Sequence, residues 1–110
     1  MRRALLAALA LPCAAHAADP ARGREVVLAA GCPACHEVPG GGRPPERPGP
    51  SLAGVGERLS AEEIFWWIVD ASRFKADTAM PAYGRMQAAA EPRLSTTEIQ
   101  DAAAFLATLK

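Results

Sequence analysis

Residues 32–36 read Cys32-Pro33-Ala34-Cys35-His36, and the reading of these five residues decides how the rest of the chain folds. Two thiols three positions apart lie about one helical turn from each other. They can therefore reach two points on one edge of a flat ring, and the imidazole that follows comes under the ring's centre. C-x-x-C-H is the attachment pattern of a c-type haem, with two thioethers from Cys32 and Cys35 and one axial iron ligand from His36. A neutral imidazole nitrogen is a good ligand, and iron binding keeps it neutral.

Three other readings use the same residues. A thioredoxin-like redox pair needs a βαβ context, and no alternating β-branched runs follow. A structural zinc needs four ligands, and carboxylates would have to complete a set that holds only Cys32, Cys35 and His36. A disulfide across so short a span would close a strained ring. The haem reading asks only for a second axial ligand and apolar surroundings.

The N-terminus reads as a leader. Met1-Arg2-Arg3 supplies a positive start, Ala4 to Leu11 a short apolar core, and Ala15-His16-Ala17 a small-x-small cleavage site. The apolar core is far below the roughly 20 residues of a membrane span. The expectation is a cleaved leader over 1–17, a single domain over 18–110 and export to the periplasm, where thioether attachment takes place in bacteria. Cys13 raises a lipid-anchor alternative, but Pro12 stands where a small residue is expected. Cleavage removes Cys13 and His16. The mature chain then keeps two cysteines and one histidine, all inside the motif.

The 110 residues carry a formal net charge of zero, and loss of Arg2 and Arg3 leaves the mature chain slightly acidic. No basic stripe of the kind nucleic acid requires is present. A chain of this size buries only about 60–65% of its unfolded surface and needs a staple. Aromatic residues make up 5% of the chain, so the faces of a covalent haem would add apolar area that the side chains lack.

The helix signals are local. Asp19-Pro20 opens a first helix, with Asp19 as cap and Pro20 where a missing N–H costs nothing. Val26, Val27 and Leu28 form its apolar side, and Gly31 ends it. Glu37 to Pro50, rich in Gly and Pro, is an irregular loop. Its Gly40 to Arg47 part reads as an exposed excursion and Gly49 to Leu52 as a wall beside the haem. A carbonyl from Gly49 or Pro50 could take the second ring N–H of His36. Ser60 and Glu63 form a capping box, with Leu59 and Ile64 as hydrophobic staple, and open a helix to about Ala71. One of Trp66 and Trp67 belongs to its core side, and the other is free for the haem edge or a partner. Leu94, Ser95, Glu98 and Ile99 repeat the device. In the helix they open, Ile99, Ala102, Ala103, Leu106 and Leu109 keep helical spacing, with Phe105 flanking them. Ala102 and Ala103 permit close approach of the first helix, with Phe105 near Gly23. The expected fold class is all-α, three to four short helices around one haem.

Two methionines remain for the second axial position. Met80 precedes Pro81, which imposes an extended backbone suited to projecting a thioether inward. Met86 suits a packed position, and an open iron site is the third possibility. With His36 and Met80 both bound, the iron keeps no free position, so the haem passes single electrons. No group of nucleophile, base and orienting residue is found elsewhere, so no catalytic residue is expected.

The haem motif, Gly49-Pro50-Ser51-Leu52, Met80-Pro81 and the closing helix together resemble class I cytochromes c over nearly the whole mature chain. The resemblance implies that the Pro50 carbonyl holds His36 and that the terminal helices cross. Gly23 lies one residue further from Cys32 than is usual there. A narrower resemblance, carried by Gly49 to Gly56, Val69 to Phe74 and Asp77 to Tyr83, is to the sulfur-oxidation cytochromes called SoxX. That likeness implies the small monohaem subunit of a SoxAX heterodimer, an L-cysteine S-thiosulfotransferase that joins thiosulfate to a cysteine of the carrier SoxYZ. In such a complex the catalytic site lies on the SoxA-like partner. The SoxX-like subunit takes the electrons and hands them to a downstream cytochrome. The alternative is a free periplasmic cytochrome c serving other redox enzymes. Trp66, Tyr83 and the Gly40 to Arg47 loop are the candidate partner surface.

Overall fold

The computed structural model describes residues 17–42, 49–84 and 92–110. Four helices run through them: α1 (Pro20–Ala29), α2 (Val55–Arg58), α3 (Ala61–Val69) and α4 (Thr96–Ala107). Single 3₁₀ turns at Cys32–Ala34 and Ala71–Arg73 separate them, and no strand occurs among the described residues. The all-α expectation therefore holds.

The caps act as their residue types require. The Asp19 carboxylate accepts the N–H groups of Ala21 and Arg22. Ser60 Oγ accepts from Glu63 N at 3.2 Å while Glu63 Oε1 accepts from Ser60 N at 3.0 Å. Ser95 and Glu98 repeat this at 3.1 and 3.0 Å. Each reciprocal pair satisfies two donors that a helix start would otherwise leave orphaned. Contact with Ser60 also holds the Glu63 carboxyl below its ordinary value.

α1 crosses α4 with almost nothing between the backbones. A Cβ on Gly23 would stand 1.8 Å from the Asp101 carbonyl oxygen and 3.0 Å from Ala102 N. The crossing expected for Gly23 is present, but its immediate neighbour is the α4 backbone. The Phe105 ring is buried one turn further along. Val27, Ile64, Ile68, Ile99 and Leu106 fill the core that α1, α3 and α4 share. Each such side chain contributes roughly 1.5–3 kcal/mol by leaving water.

Two boundaries differ from the sequence reading. α3 stops at Val69, short of Ala71, because Asp70 turns extended and its carboxylate caps the following turn by accepting from Ser72 N. α2 carries no periodic signal, and a tertiary contact makes it. Gly56 lies where a Cβ would meet the Ala107 carbonyl at 2.1 Å, and its N–H donates to Leu109 O at 2.8 Å.

Candidate haem site

The site begins where α1 ends. Gly31 takes φ +84°, a left-handed conformation that glycine adopts without strain. The chain turns there into the Cys32–Ala34 turn. The Cys32 carbonyl accepts from both Cys35 N (3.2 Å) and His36 N (2.9 Å). The two cysteines and the histidine thus share one tight turn. Both thiols are unbridged. Burial pushes the Cys32 thiol above its ordinary value, its own backbone hydrogen bond acts the other way, and the charge of Cys35 adds to the rise. A redox dithiol needs the opposite, a thiolate made stable. Among the described residues no three His, Cys, Asp or Glu side chains converge into a metal cage, so the tetrahedral-zinc alternative finds no ligands to complete it.

His36 is fixed from the far side of the loop. Its Nδ1 donates to the Pro50 carbonyl at 2.7 Å, and since a carbonyl can only accept, Nδ1 carries the proton. Nε2 is then the ring's remaining lone pair, available to a metal. Gly49 lies flat against the ring, where a Cβ would meet His36 Cε1 at 2.5 Å and Nδ1 at 2.7 Å. The same wall is zipped to the motif by Gly49 N to Cys35 O (3.0 Å) and Leu52 N to Glu37 O (2.8 Å). From behind, the Arg58 guanidinium donates to the Ser51 and Ala53 carbonyls at 3.1 and 3.3 Å. Of the two carbonyls left open by the sequence, Pro50 is the one bonded.

The second methionine segment approaches the same core from the other end of the chain. Met80 is half-buried and packs on the apolar cluster that Cys32 and Leu52 also touch. Thr78 Oγ1 accepts its N–H at 3.2 Å. The segment is then anchored to α3 by Tyr83 N to Ile68 O (3.2 Å) and Gly84 N to Val69 O (3.1 Å). Met86 and residues 43–48 of the excursion lie outside the described residues.

Tyr83 departs from its expected place. It is buried, 9% exposed, so it belongs to the interior rather than a partner surface. Burial raises its phenol above the ordinary value. The charge of Cys32 acts in the same direction, Arg93 opposes it, and Cys35 adds a little more. The phenol therefore stands within electrostatic reach of the cysteine pair. The signal that could have found it is its position three residues after Met80. Trp67 is half-buried and stacks on Phe74 at 4.7 Å, while Trp66 is 42% exposed.

The arrangement fits a covalent haem. Two unpaired thiols share one turn, the histidine has one ring nitrogen committed and the other available, a glycine wall leaves room for its ring, and a thioether comes from a separate segment. A family model for cytochrome c matches residues 20–110, and the chain belongs to the cytochrome c family. It is a monohaem electron-transfer protein whose haem c is covalently bound. Its fold is that of a chain in the crystal structure of SoxXA from P. pantotrophus. The match has a TM-score of 0.77 and 24% identity, and it covers 86% of this chain and 84% of that one. No curated protein matches at the sequence level.

Proposed function

We propose that Cys32 and Cys35 hold the haem through thioethers and that His36 and Met80 are its axial iron ligands. The haem, when bound, supplies reversible one-electron storage. The protein's own residues do the rest. The Pro50 carbonyl fixes the His36 tautomer and ring plane, and a ligand so held is more basic. Met80 is a weak donor that favours the reduced metal. Cys32, Leu52 and Met80 pack against the apolar cluster, which would limit the access of water to a bound haem. With both axial positions taken, such a protein carries electrons and performs no bond chemistry.

We further propose that it serves as the electron-transfer subunit of a periplasmic thiosulfate-oxidising complex. Its partners there are a SoxA-like cytochrome, the SoxYZ carrier and a downstream cytochrome acceptor. A leader over residues 1–17 would be removed on export, leaving the domain 18–110. Among the described residues no helix is long and apolar enough to cross a membrane. The observation that carries this reading is the Asp70 to Tyr83 block. It supplies the Met80 segment and, through Arg73 and Phe74, an aromatic and cationic surface that a bare haem cage does not require, while the buried Asp70 caps the turn that carries them. On that surface Arg73 Cζ lies 5.7 Å over the Trp66 ring, and Phe74 is 55% exposed. Tryptophan, phenylalanine and arginine are the residue types enriched in protein interfaces.

The test is copurification of the mature holoprotein from thiosulfate-grown cells, with haem staining of what accompanies it. A second haem-bearing subunit at equal stoichiometry is expected. A protein that comes down alone supports the second reading, a free cytochrome c, which the family match over residues 20–110 suits equally.

A further inference from the structure

Two aspartates are buried among the described residues, Asp101 within α4 and Asp70 just past the end of α3. Asp101 ties α4 to the start of α1 through the Asp19 N–H at 2.9 Å. Asp70 stands at the root of the Met80 segment. Its backbone is extended, with φ −162° and ψ 92°. Its Oδ1 accepts both the N–H of Ser72, at 3.1 Å, and the Ser72 hydroxyl. In a helix that continued, the Ser72 N–H would go to the Ile68 carbonyl and the Arg73 N–H to the Val69 carbonyl, each four residues back. Instead the first goes to the Asp70 carboxylate and the second to the Asp70 carbonyl at 3.2 Å. The two helix carbonyls so released are the ones that take the end of the Met80 segment. Ile68 O accepts from Tyr83 N at 3.2 Å, and Val69 O accepts from Gly84 N at 3.1 Å. The start of the segment grows from the same capped turn. Ala71 O accepts from Lys75 N at 3.0 Å, Lys75 O from Thr78 N at 3.1 Å, and Thr78 Oγ1 from Met80 N at 3.2 Å. Met80 therefore hangs between two sets of bonds that both lead back to Asp70.

We infer that Asp70 is a positioning residue for Met80: by capping the turn after α3 it leaves the Ile68 and Val69 carbonyls to the segment that carries the sulfur. The inference rests on the axial role proposed for Met80 above. A thioether is a weak iron ligand, so its residence on the metal depends on how firmly its own segment is held. An aspartate that bonds the backbone two residues on offers the chain an alternative to the helix ladder. With the carboxylate removed, the helical alternative regains ground. It sends the Ser72 N–H to the Ile68 carbonyl that Tyr83 now uses, and the Arg73 N–H to the Val69 carbonyl that Gly84 now uses. Both ends of the Met80 segment then loosen together. The His36 side is spared, because its bonds run to Gly49, Pro50 and Leu52.

The experiment titrates the ferric holoprotein with imidazole at constant pH and reads its binding by visible absorption. The apparent affinity rises with the fraction of molecules in which the methionine has left the iron. Met80→Ala comes first and should bind imidazole far more tightly than wild type. If it binds no more tightly, Met80 is not the ligand, and the axial reading falls together with the inference. Given tighter binding by Met80→Ala, Asp70→Ala is expected to bind imidazole about tenfold more tightly than wild type, the factor by which loss of a capping acceptor shifts a local equilibrium. Asp70→Asn keeps a carbonyl oxygen for Ser72, and Ser60→Ala weakens only the other end of α3, so both should stay within about threefold of wild type. An Asp70→Ala protein inside that range, or an Asp70→Asn or Ser60→Ala protein that matches Asp70→Ala, overturns the inference and leaves the axial reading intact. If Asp70→Ala does not hold haem, hydrogen exchange of the wild-type holoprotein decides. The amides of Ser72, Tyr83 and Gly84 should open as one unit, with protection factors within about threefold of each other, and a wider spread overturns the inference.

Discussion

The His36 side and the Met80 side of the haem site are built differently. On the His36 side, a loop is zipped to the motif residue by residue. Cys35 and Glu37 bond Gly49 and Leu52, and Pro50 bonds the imidazole itself. On the Met80 side, one backbone bond to Thr78 steadies the methionine, and the anchoring to α3 comes only at Tyr83 and Gly84. His36 is held rigidly and stated by contiguous sequence. Met80 is held at one remove, by a short segment between turns. The contrast suits a one-electron carrier. The His36 ring is pre-organised, so as the proposed iron ligand it would keep its orientation through a change in the iron's charge.

The largest effect expected is on the fixed side. Replacing both Cys32 and Cys35 by alanine should abolish covalent attachment, read as loss of haem staining on a denaturing gel. Gly49→Val comes next. Its Cβ falls 2.5 Å from the His36 ring, and overpacking of this kind costs about 1–3 kcal/mol. Chemical denaturation should show that loss, together with a raised reduction potential, because a His36 ring freed from the Pro50 carbonyl is a less basic donor to oxidised iron. The same change at Gly84 meets the Ile99 side chain at 2.9 Å and the Val69 backbone at 3.2 Å. It should perturb the methionine side and leave the His36 resonances in place. Equal disturbance of both sides by either variant would break the contrast.

A pH effect sharpens it. The Tyr83 phenol is raised from its ordinary value of 10.0, chiefly by burial. The folded protein then keeps a proton that the unfolded chain releases, so this contribution to stability is complete below pH 10 and is lost as pH rises beyond it. In the holoprotein the thioethers carry no charge, and burial, the leading cause, remains. Unfolding midpoints measured from pH 8 to pH 11.5 should therefore fall at the alkaline end in wild type and fall less in Tyr83→Phe. The smallest effects belong to the caps. Ser60→Ala and Ser95→Ala should each cost about 1 kcal/mol, with no change in the haem spectrum.

The parts legible in the sequence are those whose causes are local. The capping boxes at Ser60 and Ser95, the Asp19-Pro20 start and the Gly31 exit are each set by residues within one turn, and all appear where their residue types demand. The motif cysteines and His36 share a turn for the same reason. What stayed hidden depends on contacts distant in sequence. α2 exists because Gly56 fits under the end of α4, and no periodicity in Val55–Arg58 announces it. Gly23 abuts the backbone of Asp101 rather than Phe105 because a helix crossing is set by the smallest residues that face each other, not by the largest nearby ring. Tyr83 looked like a surface aromatic and is interior, because its backbone is tied to Ile68. Asp101 gave no signal at all, since an aspartate in a helix is ordinarily solvated.

The central claim is an iron held between His36 and Met80. The most direct measurement is the far-red absorption of the ferric protein, where iron–thioether bonding gives a weak band. The account predicts that band in wild type, its complete loss in Met80→Ala, and its persistence in Met86→Ala. A wild-type protein without the band, or a Met80→Ala protein that keeps it, would contradict the account.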